Sequence, residues 1–405
     1  MAQFGWIDFS PKDRQRIGTI LELMKPSGQV DELGVGTIRD ALADKLFPGI
    51  STIQTRAKYF FVIPYILQDF LRLSAKERSK KTPNKYLDDR EHAIMWDLAE
   101  KFDHNDRLGS GVIGITKRRG ERIVRRPSEV YWNGLNVFKC IDSKGLSANA
   151  FLNHVHRDNQ DKITQLIEGE EENDAGSDFE NYFNLKSPVD DNWHKDLDLN
   201  LTQREASFLR SSMRDLDTSL LALLVSDTEV YNEFKTALSF LDFAKICVER
   251  DINKELKAHM ILAHDFSEVI EGAHIAYNQE LQTKFFFVDH FAQKWNEWYV
   301  HFKSRMIDAG NFDPEHLFVL TGDQKAGHFV REWWKLINAP TLDLEYKSQL
   351  LRRQEFHAKG NKARIYNNKR TDVKENKRIG LSRLEYRFSN ARTIINDIYK
   401  GLTID

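Results

Sequence analysis

The chain has 405 residues, 41% of them hydrophobic, with 26 Phe, 12 Tyr and 8 Trp and a formal net charge of −2. That is core material for two or three domains, and it excludes disorder throughout. The two cysteines, Cys140 and Cys247, give no disulfide framework and suit a reducing compartment.

The opening residues have neither a basic n-region nor an apolar h-region. The longest apolar run, residues 59–67, contains Pro64 and is far short of the ~20 residues a spanning helix needs. The expectation is a cytoplasmic protein with no membrane partner.

Ser10 and Pro11 supply an N-cap and a first-turn proline, and Ile17, Ile20, Leu21 and Met24 keep helical spacing until Pro26 and Gly28. A second helix is predicted from Thr37, with Ile38, Leu42 and Leu46 on one stripe and a stop at Pro48-Gly49. A third starts at Ser51 and carries Ile53, Ala57, Phe60, Leu67 and Leu71, with a kink at Pro64. The second and third helices match a helix-turn-helix in which Gln54, Thr55 and Lys58 face outward to base edges or phosphates. They also match a packed helical hairpin, which the apolar run Tyr59-Phe60-Phe61-Val62-Ile63 favours.

A basic linker over 76–85 and a helix over 88–102 follow. Gly111-Val112-Ile113-Gly114-Ile115-Thr116 and Arg122-Ile123-Val124-Arg125 then read as two short strands around Gly120, a basic β-hairpin placed like a wing. Residues 168–198 lack periodicity and read as a long loop or linker. Thr202-Gln203-Arg204-Glu205 and Ser382-Arg383-Leu384-Glu385 have capping-box spacing. Three apolar stripes mark later helices: Phe234, Leu238, Leu241, Ala244 and Val248; Val288, Phe291, Trp295, Trp298 and Phe302; Leu384, Phe388, Ala391, Ile395 and Ile398.

The predicted class is therefore mainly α. A winged helix-turn-helix-like unit with a basic β-hairpin occupies 1–145, a short helix and acidic loop 146–200, and a larger all-helical domain 201–405.

The near-neutral total conceals opposed regions. Residues 168–198 hold eleven acidic side chains against Lys186 and Lys195, and residues 352–392 hold thirteen Lys or Arg against Glu355, Asp372, Glu375 and Glu385. Such segregation creates local fields, and basic clusters are where polyanions bind. In the hairpin, Lys117, Arg118, Arg119, Arg122, Arg125 and Arg126 are candidate phosphate contacts. A solvated loop, or one pairing with the acidic segment, is the alternative.

Near the C-terminus, Arg352, Arg353, Lys359 and Lys362 are interleaved with Phe356 and Tyr366, as in nucleic-acid grooves that combine charge with stacking. The i,i+4 pair Glu355–Lys359 equally suits a solvated helix face.

Catalytic signatures are missing. The chain has no phosphate-binding Gly-Lys loop, nucleophile elbow, Cys-x-x-Cys or dinucleotide fingerprint. Glu271-Gly272-Ala273-His274 has one copy of a spacing that carboxylate-bridged metal sites need twice, so His274 reads as a packing residue. His154 and His156 have no ligand cluster beside them, and a nuclease-type set of Asp8, His104, Asp106 and Glu129 has no supporting spacing. No cofactor or metal is expected.

Several blocks resemble a bacterial family of unknown function. They include Phe4-Gly5-Trp6-Ile7-Asp8-Phe9-Ser10, Val30-Asp31-Glu32-Leu33-Gly34, Ser51-Thr52-Ile53-Gln54-Thr55-Arg56-Ala57-Lys58-Tyr59-Phe60 and Arg126-Pro127-Ser128-Glu129-Val130-Tyr131-Trp132-Asn133-Gly134-Leu135. Later blocks hold Gly272-Ala273, Tyr277-Asn278, Arg353, Glu355, Lys359, Ala363-Arg364 and Tyr386-Arg387-Phe388. The resemblance implies a place in gene clusters of antiphage-defence type, beside helicases and phospholipase-D-like nucleases, and it carries no catalytic residue. Together with the charge pattern it leads to the expectation of a non-catalytic, DNA-associated subunit. A protein-binding scaffold and an unrecognised nuclease are the alternatives.

Overall fold

The computed structural model describes residues 31–102, 110–158, 183–195, 197–286, 290–309, 312–322, 324–368, 378–380 and 383–403. In chain order the helices are α1 (Gly36–Leu46), α2 (Tyr59–Leu71), α3 (Ala75–Arg78), α4 (Pro83–Lys101), α5 (Pro127–Val137), α6 (Ala148–Asp158), α7 (Gln203–Arg214) and α8 (Leu220–Ser226). They continue with α9 (Thr228–Thr236), α10 (Phe240–Val248), α11 (Lys254–Phe285), α12 (His290–Ala309), α13 (Glu315–Thr321), α14 (Gln324–Asn338), α15 (Leu344–Lys359) and α16 (Phe388–Leu402). Among the described residues there is no strand, only an isolated antiparallel bridge between Ile141 and Leu185. None of the described helices is long and apolar enough to cross a membrane.

The mainly α expectation holds, and the winged unit does not. No β-hairpin forms over 110–126, because the backbone groups there find other partners. Successive turns close Ile115 N–H on Val112 O (3.3 Å), Lys117 N–H on Gly114 O (2.8 Å) and Glu121 N–H on Arg118 O (2.9 Å). Helix side chains take further groups: Tyr59 Oη accepts from Ile113 N–H (3.0 Å), His92 Nε2 accepts from Ile123 N–H (3.1 Å), and Trp96 Nε1 donates to Glu121 O (3.3 Å). Several of the groups a ladder would need are thereby taken.

The helix-turn-helix expectation fails for a similar reason. Gln54 closes a local loop, accepting from Ser51 N–H (3.2 Å) and donating to Gly49 O (3.0 Å). The amides of Thr55 and Arg56 go to Tyr131 Oη, and that of Ala57 to Asp397. Thus α2 begins at Tyr59 rather than Ser51, and Gln54 and Lys58 are buried instead of facing outward.

The chain forms two compact units. The first takes the described part of Met1–Leu42 together with Lys257–Tyr386, and the second takes Ala43–Leu256 with Arg387–Asp405. In the second unit α2 packs on α4 and α5, and α7 on α8 and α16. Phe60 meets Tyr131 (4.9 Å) and Phe138 (5.0 Å) edge to face. Two ion pairs tie distant segments together, the half-buried Arg56–Asp397 (2.9 Å) and the buried Lys58–Glu205 (2.8 Å). Glu205 also completes the expected capping box of α7 with Thr202.

The stripe expected from Phe234 to Val248 divides into α9 and α10. Ser239 caps α10 through Asp242 N–H (3.1 Å), and Leu238 between the helices is 93% exposed. The last helix starts at Phe388, since Tyr386 (φ +44°) and Arg387 (φ +66°) are left-handed and cannot continue a helix backward. Leu384 is consequently off its stripe, and Ser382 and the predicted helix over Ser10–Met24 lie outside the described residues.

In the first unit, α11 to α15 bury Phe291, Trp295, Trp298 and Phe302 of α12 as expected, while Val288 of that stripe lies outside the described residues. Trp333 of α14 donates Nε1–H to Val269 O (3.0 Å). Gly272 is required by close approach, because a Cβ there would lie 2.2 Å from the Trp298 ring.

Candidate nucleic-acid interface

The basic loop of the second unit is anchored from beneath by Val112, Ile115 and Ile123, all buried, and by the side-chain bonds from Tyr59, His92 and Trp96 described above. Its cations divide into two sets. Arg119 is held on α4, with Nε 2.8 Å from Glu100 and Nη2 2.6 Å from Asp97, and its guanidinium lies 6.0 Å from the Trp96 ring centre. Arg126 is half-buried among Asp88 (3.2 Å), Glu91 (3.7 Å) and Glu129 (3.1 Å). Arg118, Arg122 and Arg125 are exposed, and among the described residues their side chains make no ion pair. Lys117 is half-buried beside them. The loop thus presents three uncommitted guanidinium groups on a braced backbone, with Val124 82% exposed among them.

Glu91 lies beneath this loop and receives Ser128 N–H (2.5 Å) and Ser128 Oγ–H (2.9 Å), fixing the start of α5. Burial pushes its carboxyl up to about 7, against the opposing pull of Ser128 and Arg126.

The second basic cluster belongs to the first unit and its members have separate fates. Lys359 is buried in an ion cluster with Glu32, Glu355 (3.5 Å), Arg364 and Tyr277. Arg364 Nη1 lies 2.8 Å from Glu32, and the Tyr277 hydroxyl sits 2.9 Å from Glu32 and 2.7 Å from Glu355. Burial alone would raise the Glu32 carboxyl, but Lys359 and Arg364 reverse this and hold it below its usual range. Glu355 also accepts from the amides of Arg364 (2.7 Å), Ile365 (2.8 Å) and Tyr366 (3.3 Å). Lys359 is therefore a fold residue, closed off from any phosphate.

Arg352, Arg353 and Lys362 are exposed, with Arg352 3.6 Å from Glu280. Phe356 and Tyr366 come together, ring centres 4.3 Å apart. Lys369 and Arg370 lie outside the described residues. Sequence reasoning placed Lys359 among the phosphate contacts; Glu32 and Tyr277 stood only in the blocks that carry the family resemblance, and the one local sign of the cluster was the Glu355–Lys359 spacing.

His274 is buried, donates Nδ1–H to Ile270 O (3.0 Å), and is pushed down to about 4 by desolvation, which keeps it neutral. Among the described residues no group of three His, Cys, Asp or Glu side chains is placed to hold a metal ion. Asp8, His104 and Asp106 lie outside those residues, and Glu129 is paired with Arg126.

No curated protein and no solved structure matches the chain. The model of a family of unknown function, DUF6361, matches residues 1–400. With nearly its whole length covered, the chain belongs to DUF6361.

Proposed function

We propose that this protein is a non-catalytic, DNA-associated subunit of a bacterial antiviral defence complex, working beside a helicase and a phospholipase-D-like nuclease. The observation that carries DNA association is the set of exposed, uncommitted arginines Arg118, Arg122 and Arg125 on the braced loop of the second unit. A backbone already ordered by Tyr59, His92 and Trp96 loses little entropy when its side chains meet phosphates. Arg119 and Arg126 serve as tethers of that loop rather than as phosphate contacts. The defence setting rests on the resemblance of the motif blocks. A scaffold that binds only protein is the second reading, favoured by the exposed Val124 at the centre of the arginines.

Duplex DNA binding across a salt series separates the two. Three phosphate contacts give a log–log slope of roughly −3, at about 0.9 per contact. The triple variant Arg118→Glu, Arg122→Glu, Arg125→Glu is expected to remove most of that slope and of the affinity at low salt. Unchanged affinity in the variant would remove the loop from the interface, and no binding by the parent protein at low salt would leave the scaffold.

A further inference from the structure

We propose that the cleft between α14 and α15 in the first unit, together with the adjoining Phe356–Tyr366 pair, seats an unpaired nucleotide of a single-stranded nucleic acid. The inference rests on nucleic-acid association as the function and names which form of nucleic acid this unit takes.

The cleft has a volume of about 240 Å³, with Lys325, His328, Arg353 and His357 around it and the buried Phe329 and Leu350 at its base. No carboxylate lines it. Glu332, on the same helix as His328, is engaged by Tyr346 Oη (2.7 Å) and Lys335 Nζ (3.2 Å). A small-molecule site usually encloses ~300–1,000 Å³, and the accessible wall here is mostly apolar, so the cleft suits one sugar of an extended strand, its phosphate on the charged ends of the surrounding side chains, better than an enclosed ligand. Four groups able to carry positive charge, with no acid among the lining, match an anion, and the rings beside them point to the phosphate of a nucleotide.

The aromatic pair adds the second half of a nucleotide site. Arg353 and His357 are one turn apart on α15, and Arg352 and Phe356 form the neighbouring i,i+4 pair, so charge and ring share one side of the helix. Tyr366 is 53% exposed and Phe356 36%. Both rings are therefore reachable from solvent.

The turn carrying Tyr366 is held in place: its amide reaches the buried Glu355, Lys284 Nζ donates to Ile365 O (2.5 Å), and Asn367 Nδ2 donates to Gly360 O (3.1 Å). A fixed ring beside a cationic cleft is the arrangement by which single strands are bound, backbone on charge and base on ring. Duplex DNA cannot use it, because its base faces are already stacked on each other.

The test is fluorescence anisotropy with a labelled oligo-dT 12-mer and a duplex of equal length. The probes are the full-length protein and its Phe356→Leu/Tyr366→Leu variant, which keeps apolar bulk and removes the π-faces. Single-strand affinity should fall at least tenfold, within the about 5–150-fold that one or more lost stacks imply, while duplex affinity stays within twofold. In the parent protein, photo-crosslinking of 5-iododeoxyuridine in the same 12-mer should map to the peptide containing Tyr366, a readout that needs no variant to fold.

Single-strand affinity unchanged in the variant, or a crosslink mapping elsewhere, overturns the proposal. If the arginine-reversed loop variant loses duplex binding in that same experiment, the proposed function stands although this inference falls. If the parent protein binds neither form, both fall.

Discussion

Glu355 is a buried carboxylate on which five donors converge: the Tyr277 hydroxyl, the Lys359 ammonium and the amides of Arg364, Ile365 and Tyr366. With Glu32 it balances two buried cations, Lys359 and Arg364, so the cluster is neutral as a set. Glu355→Gln leaves those two cations facing a single carboxylate and replaces one acceptor oxygen by a donor. Breaking a buried pair from one side costs about 3–5 kcal/mol, against at most ~1 kcal/mol for an exposed pair such as Lys335–Glu332. Urea unfolding should therefore show a large drop in midpoint for Glu355→Gln and almost none for Lys335→Ala. Equal drops would mean that water screens the cluster. The Glu355–Lys359 spacing was legible, but the remainder was not, since Glu32 lies 245 residues from Tyr277 and 332 from Arg364. A charge run read locally looks solvated, and only tertiary contact reveals Lys359 as enclosed.

At the scale of elements, the crossing of α2 and α5 depends on Gly134. A Cβ built there would lie 2.6 Å from Gly49 O and 2.6 Å from Phe60 Cε1, closer than real side chains come. Neither neighbour can retreat easily, since Gly49 O accepts from Gln54 and Phe60 is wedged edge to face between Tyr131 and Phe138. Gly134→Ala is therefore expected to destabilise the second unit by about 1–3 kcal/mol despite alanine's better helix propensity. A thermal scan showing higher stability would mean that the crossing has slack. Helices with their own end signals were legible, as at Thr202–Glu205, whereas Thr82 and Pro83, which start α4, fell in the stretch read as a basic linker. The loop over 110–126 was misread because alternation and a glycine turn imitate a hairpin. What replaced the ladder came from Tyr59 and His92, 54 and 31 residues from the amides they accept. The candidate site was thus legible as a basic cluster, but its separation into tethers and free arginines was not.

For the molecule as a whole, the two units should respond to pH in opposite senses. In the second unit burial pushes the Glu91 carboxyl up to about 7, above the 4.5 of a free glutamate, because desolvation outweighs Ser128 and Arg126. A carboxyl raised by folding contributes its stability fully below 4.5 and loses it as pH rises through about 7, a change of about 3 kcal/mol at 1.36 kcal/mol per unit. In the first unit His274 is lowered from 6.5 to about 4, chiefly by desolvation, with Arg378 adding to the effect. A histidine kept neutral contributes fully above 6.5 and loses that stability as pH falls through about 4, again about 3 kcal/mol. Between pH 4.5 and 6.5, then, alkali weakens one unit while it strengthens the other. Peptide-resolved hydrogen exchange at pH 5, 6.5 and 8, corrected for intrinsic rates, follows each unit separately. Glu91→Gln should flatten the alkaline decline over α4 and α5 alone, and His274→Leu the acid decline over α11 alone. Profiles that run parallel in both units, or that neither substitution changes, would show that these two buried groups do not govern the response.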